Sequence, residues 1–148
     1  MTYQERKSIL SILSTVLIFA AFCAYKYQQY PEEGLTQAET FHYWGTFVLS
    51  LTLGSIGAHI VISSFFRIYF QVSTGEKVPG FSDELDKLID LKAFRNSFGV
   101  FILGFLLAMG SQAFDQPSQA MFIILIAAGF LSDVTGSITR LYHYRQGV

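Results

Sequence analysis

Residues 40–66 read TFHYWGTFVLSLTLGSIGAHIVISSFF, a run without a single Asp, Glu, Lys or Arg. An α-helix rises about 1.5 Å per residue, so a hydrocarbon core of roughly 30 Å is crossed by about 20 apolar residues. Residues 8–25 and 96–114 form two further runs of this kind, and residues 116–139 a fourth that carries one charge, Asp133. Little chain remains between them. The sequence therefore predicts an all-α polytopic membrane protein with four transmembrane helices, over residues 8–27, 42–68, 96–114 and 119–141. They make a single domain of residues 1–148.

Composition agrees. Apolar residues make up 51 % of the chain and charged residues 14 %, with a mean hydropathy of +0.40. An average soluble domain carries about 25 % charge, so this chain lacks the polar groups to cover a water-facing surface. A single cysteine, Cys23, excludes an intramolecular disulfide. Arg6 and Lys7 ahead of an apolar stretch resemble a signal peptide, but Phe22 stands where a lipoprotein cleavage site before Cys23 needs a small residue. Lys26, Tyr27 and Gln28 read as an anchor flank, so the segment is expected to be a retained first helix.

The net charge of −1 hides a strong asymmetry. Lys and Arg concentrate on the cytoplasmic side of membrane proteins. Arg6 and Lys7 precede the first span, Arg67, Lys77, Lys87, Lys92 and Arg95 lie between the second and third, and Arg140 and Arg145 follow the fourth. Only Lys26 falls on the other side, where Glu32, Glu33, Glu39 and Asp115 lie. This predicts that both termini are cytoplasmic. Tyr25, Tyr27, Tyr30, Tyr43 and Trp44 fit an outer aromatic belt, and Tyr69, Tyr142 and Tyr144 an inner one. The short connection around Pro117 makes the third and fourth spans antiparallel neighbours.

Before the third span, Gly75, Pro79 and Gly80 break the chain. Ser82 then suits an N-cap, Asp83 and Glu84 suit the positive end of a helix dipole, and Leu85, Leu88 and Ile89 share one face. A short cytoplasmic amphipathic helix is expected there. One reading is an interfacial elbow with its apolar face among the headgroups. The other is a docking surface for a cytoplasmic partner, with Asp83, Glu84, Asp86, Lys87 and Asp90 as its polar face.

Lipid tails give helices no hydrophobic reason to associate, so small residues that allow close approach mark the contacts. Ser50, Gly54 and Ala58 form such a stripe on the second span, Gly104 and Ala108 on the third, and Ala128, Ser132 and Gly136 on the fourth. These stripes suit a compact bundle and equally a homodimer. Two ionisable side chains interrupt the apolar runs, His59, eight residues before Arg67, and Asp133, seven before Arg140. With both arginines at the inner boundary, the two groups lie at a similar depth, about 10–12 Å in. His59 shares a polar seam with Thr52, Ser55 and Ser63, and Asp133 a face with Gly129, Gly136, Ser137 and Arg140. Facing each other, they make a pH-sensitive pair or small polar cavity, or a hydrogen bond that fixes helix register.

Other chemistries find no support. His42, His59 and His143 lie on different segments or on opposite sides of the membrane, without metal-ligand spacing, and no Gly-rich phosphate loop or GxSxG elbow occurs. The basic loop alternates with Asp and Glu, which makes it a poor surface for direct nucleic-acid binding. The expectation is a non-enzymatic protein without cofactor or metal, whose main partner is the lipid bilayer.

Residues 81–93, FSDELDKLIDLKA, and the ending RLYHYRQG of residues 140–147 resemble an uncharacterised bacterial family of four-helix integral membrane proteins. That family carries a D-E-R-D-x-x-I-x-x-K-A loop and an R-L-Y-x-Y-R-R-G tail. The chain departs from the pattern at Leu85 and Gln146, where the family has Arg. Many such proteins are encoded beside a helix-turn-helix regulator. The resemblance thus implies a bacterial inner (plasma) membrane protein that holds a cytoplasmic regulator through residues 82–95. The alternative, drawn from the residues, is a small transport or self-protection protein that works through His59 and Asp133.

Overall fold

The computed structural model describes residues 3–30, 34–75 and 84–146. They form four long helices, α1 (Tyr3–Gln28), α2 (Gln37–Thr74), α3 (Glu84–Ala113) and α4 (Ser118–Gln146). Each is long and apolar enough to cross a membrane, and no strand occurs among the described residues. This is the four-helix membrane protein that the apolar runs predict. Ser82 and Asp83 lie outside the described residues.

The helix ends follow from local chemistry. Thr36 caps α2 in a capping box, with the Glu39 amide donating to the Thr36 hydroxyl at 3.4 Å and the Thr36 amide to the Glu39 carboxylate at 2.9 Å. The hydrogen bonds from Thr36 hold the Glu39 carboxyl below its usual range. Gly75, at φ 66°, closes the other end of α2 in the left-handed conformation, its N–H reaching the Gln71 carbonyl. At 38 residues α2 is about 57 Å long, well beyond a hydrocarbon core, so it tilts or projects past it.

One difference from the expectation lies at the start of α3. The amphipathic segment is not a separate elbow but the first turns of one uninterrupted helix that continues through the third span. Nothing in residues 84–96 breaks the ladder, for they contain neither Gly nor Pro.

α3 and α4 form an antiparallel hairpin through a tight turn at residues 114–117, where Asp115 adopts φ 55°. This is the most extensive interface in the molecule. It is built from the small residues: Gly104 lies so near Ala128 that a Cβ there would collide with the Ala128 methyl, and Ala93, Ala108, Ala128 and Gly136 are buried. A Cβ on Gly136 would stand 3.4 Å from that of Ser97. α4 also packs on α1, α1 on α2, and α2 more lightly on α4, whereas the backbones of α2 and α3 do not approach each other. The stripe on α2 divides: Gly54 receives the Phe22 ring of α1, Ala58 is half-buried, and Ser50 is exposed with its hydroxyl on the Phe47 carbonyl. In α1 the buried residues are hydroxyl-bearing, Ser8, Ser14 and Thr15, while Leu13, Val16 and Leu17 face outward. In this helix the hydroxyls point into the bundle and apolar side chains face the lipid.

Candidate functional site

The start of α1 and of α3 and the end of α2 and of α4 lie together, so both termini are at one end of the bundle. From that end a series of polar contacts runs inward. Gln4 donates to Asp86 at 3.4 Å, and Tyr144 hydrogen-bonds the same carboxylate. Burial, and Asp86 accepting its proton, push the Tyr144 phenol up. Arg140 Nε donates to Asp90 Oδ1 at 2.8 Å. Deeper, the Ser11 and Ser137 hydroxyls are 3.3 Å apart, and Asn96 donates to Thr139 at 3.5 Å. Ser97 and Ser132 each lie 2.9 Å from the other's carbonyl oxygen, which ties α3 to α4 twice.

The series ends on three side chains from three helices. The Thr15 hydroxyl of α1 donates to Asp133 Oδ2 of α4 at 2.8 Å, and His59 Nε2 of α2 lies 3.3 Å from Thr15 Oγ1 and 3.9 Å from Asp133 Oδ2. Thr15 is 12 residues into α1, about 18 Å along its axis. Beyond this level the packing turns aromatic: Phe19 and Phe130, one turn further out on α1 and α4, stack with centroids 4.2 Å apart.

Proton positions follow from valence. A threonine hydroxyl has one proton, and Thr15 directs it to Asp133. The contact with His59 is then a bond from Nε2–H to Thr15 Oγ1. The result is a directed chain of hydrogen bonds, His59 Nε2–H to Thr15 Oγ1–H to Asp133 Oδ2. This is not the geometry of a hydrolytic triad, in which the imidazole places the nucleophile on one nitrogen and the acid on the other. Here both partners meet the same nitrogen. The arrangement suits proton exchange rather than activation of a nucleophile. The other helices leave 53 % of the Asp133 side-chain surface and 32 % of that of His59 uncovered.

Thus His59 and Asp133 are brought together, and Thr15 is the member that the sequence reading omits. The rest of the expected seam does not join them. The Thr52 and Ser63 hydroxyls turn back to the Val48 and His59 carbonyls of their own helix. The residues expected to form a docking face divide as well. Asp86 and Asp90 engage Gln4, Tyr144 and Arg140 of the same chain, while Glu84 and Lys87 are exposed. Leu88, Leu91 and Phe94 face outward beside them, and Ile89 and Ala93 are buried. No group of three or more His, Cys, Asp or Glu side chains suited to a metal ion occurs among the described residues.

No family model matches the chain, and neither a curated protein nor a solved structure is similar to it.

Proposed function

We propose that this multi-pass protein is a non-enzymatic member of the small transport or self-protection class. In this reading it sits in a bacterial inner membrane with both termini cytoplasmic, and the His59–Thr15–Asp133 chain is its proton-exchange site. The observation that carries the reading is the convergence of these three side chains from α1, α2 and α4. Polar contacts lead to them from the end that holds the termini, and the Phe19–Phe130 stack closes the other side.

The charge state of the site bears on helix packing. An Asp at the centre of a membrane helix costs roughly 2.5–3.5 kcal/mol on insertion scales unless it is paired. A proton on His59 turns the chain into an ion pair bridged by Thr15, and its loss leaves Asp133 with one hydroxyl donor. α2, which packs lightly on α4, is the element such a change would move. Docking of a helix-turn-helix regulator finds less support, because Asp86 and Asp90 are already engaged within the chain.

Flux in proteoliposomes tests the reading. With a pH-sensitive dye inside and an imposed gradient, wild type should dissipate the gradient faster than empty vesicles. Asp133→Asn and Thr15→Val should abolish the difference while keeping a monodisperse elution profile, and Asp90→Asn should retain it. Wild type indistinguishable from empty vesicles, or a folded Asp133→Asn protein with full flux, would overturn it.

A further inference from the structure

We infer that the outer half of the bundle binds an anionic amphiphile, an apolar chain under a carboxylate or phosphate-ester head, in a cavity between α1, α2 and α4. The cavity measures about 400 Å³, and its walls include Phe19, Cys23, Trp44, Phe47, Ile123 and Ile126. That volume lies in the range of small-molecule sites, roughly 300–1,000 Å³. It is separate from the proton-exchange site, with Phe19 and Phe130 between them.

The polar groups at its rim select the head. The Tyr43 hydroxyl donates to the Lys26 carbonyl at 2.8 Å, and the Tyr30 hydroxyl donates to Gln119 at 3.2 Å, so both phenol protons are engaged. The Lys26 ammonium lies 5.0 Å above the centre of the Tyr43 ring, with no carboxylate in ion-pair reach among the described residues. Of these residues, the one charged group lining the cavity is the Lys26 cation, so the rim favours a negatively charged head. Lys26 stands in the last turn of α1, at headgroup level, and the apolar walls run from it toward the bundle centre. A chain descending from Lys26 past Cys23 to Phe19 would follow one face of α1.

Trp44 is the only tryptophan of the chain and lines the cavity, so its fluorescence reports occupancy directly. Wild-type protein in phosphatidylcholine nanodiscs would be titrated with dibromo-phosphatidylglycerol, dibromostearate or dibromo-phosphatidylcholine. One of the two anionic probes should quench at a mole fraction about fivefold below the zwitterionic one, the preference expected of a single cation near the surface. Lys26→Gln should remove that preference. Quenching by the phosphatidylglycerol alone would name a bilayer phospholipid as the source, and quenching by the stearate alone a free fatty acid; either supports the site. Equal quenching by all three probes in wild type would overturn it. Should Lys26→Gln fail to fold, native mass spectrometry of wild type from mixed-lipid nanodiscs decides: a retained anionic lipid or fatty acid supports the site, and none overturns it.

Discussion

Thr15 shows what one hydroxyl does inside a membrane. His59 and Asp133 stand out in the sequence because ionisable groups are rare in apolar runs. Thr15 does not stand out, since a hydroxyl in a helix ordinarily bonds the carbonyl one turn back. Ser8, Ser14 and Thr135 do so here, on Gln4, Leu10 and Leu131. Only the packing of α1 against α4 decides which hydroxyl reaches across, and sequence holds no signal for that choice. The bond it makes is measurable. Hydrogen bonds between membrane helices average about 0.6 kcal/mol in double-mutant cycles and reach ~1.7. At 2.8 Å the bond is short, and a Thr15→Val and Asp133→Ala cycle should give a coupling near the upper figure. Unfolding in bicelles supplies the four free energies, and a coupling of zero would show that the two side chains do not interact.

Among the elements, the α3–α4 hairpin is the most legible in sequence and the start of α3 the least. The short turn at Pro117 and the small residues Gly104, Ala108, Ala128, Ser132 and Gly136 point to close antiparallel packing, and four of them are buried there. Ser97, which exchanges hydrogen bonds with Ser132, is missed for the same reason as Thr15. At the start of α3 the pattern of Asp and Leu reads as a polar outer face over an apolar one. Asp86 and Asp90 instead turn toward α1 and α4, where Gln4, Tyr144 and Arg140 offer donors that a sequence pattern does not reveal. The glycines of α3 make a contrast within one helix. Gly104→Ala puts a methyl into Ala128, and forcing extra atoms into a packed core typically costs about 1–3 kcal/mol. Gly99→Ala meets nothing within 4 Å and should be neutral or slightly stabilising, since Ala is the better helix former. Thermal unfolding of both variants in one detergent should separate them by several degrees, with Gly104→Ala the lower. Equal midpoints would mean that α3 and α4 do not close on each other at Gly104.

At the scale of the whole molecule the two halves differ in kind. The end that holds the termini is laced by hydroxyls, carboxylates and Arg140, while the other is a cage of Phe, Tyr and Trp rings around a cavity. Which half faces the cytoplasm decides what each can meet, and the basic residues argue for the terminal end. Arg6, Lys7, Arg67, Lys87, Lys92, Arg95, Arg140 and Arg145 fall on that side or in the loop joining α2 to α3, against Lys26 alone on the other. Basic residues within about 15–20 residues of the spans set orientation, whereas acidic ones contribute little. A green fluorescent protein fused after Val148 should therefore fluoresce, and alkaline phosphatase at the same point should be inactive. Adding lysines to residues 28–36 should weaken that bias, and a fusion already inverted in wild type would refute the orientation. The consequence goes beyond topology. With the termini inside, the proposed proton-exchange site would draw on the regulated pH of the cytoplasm and Lys26 would meet outer-leaflet headgroups; inverted, the same residues would sample the external pH and the inner leaflet. Scoring flux and lipid binding together with fusion activity ties both sites to one orientation.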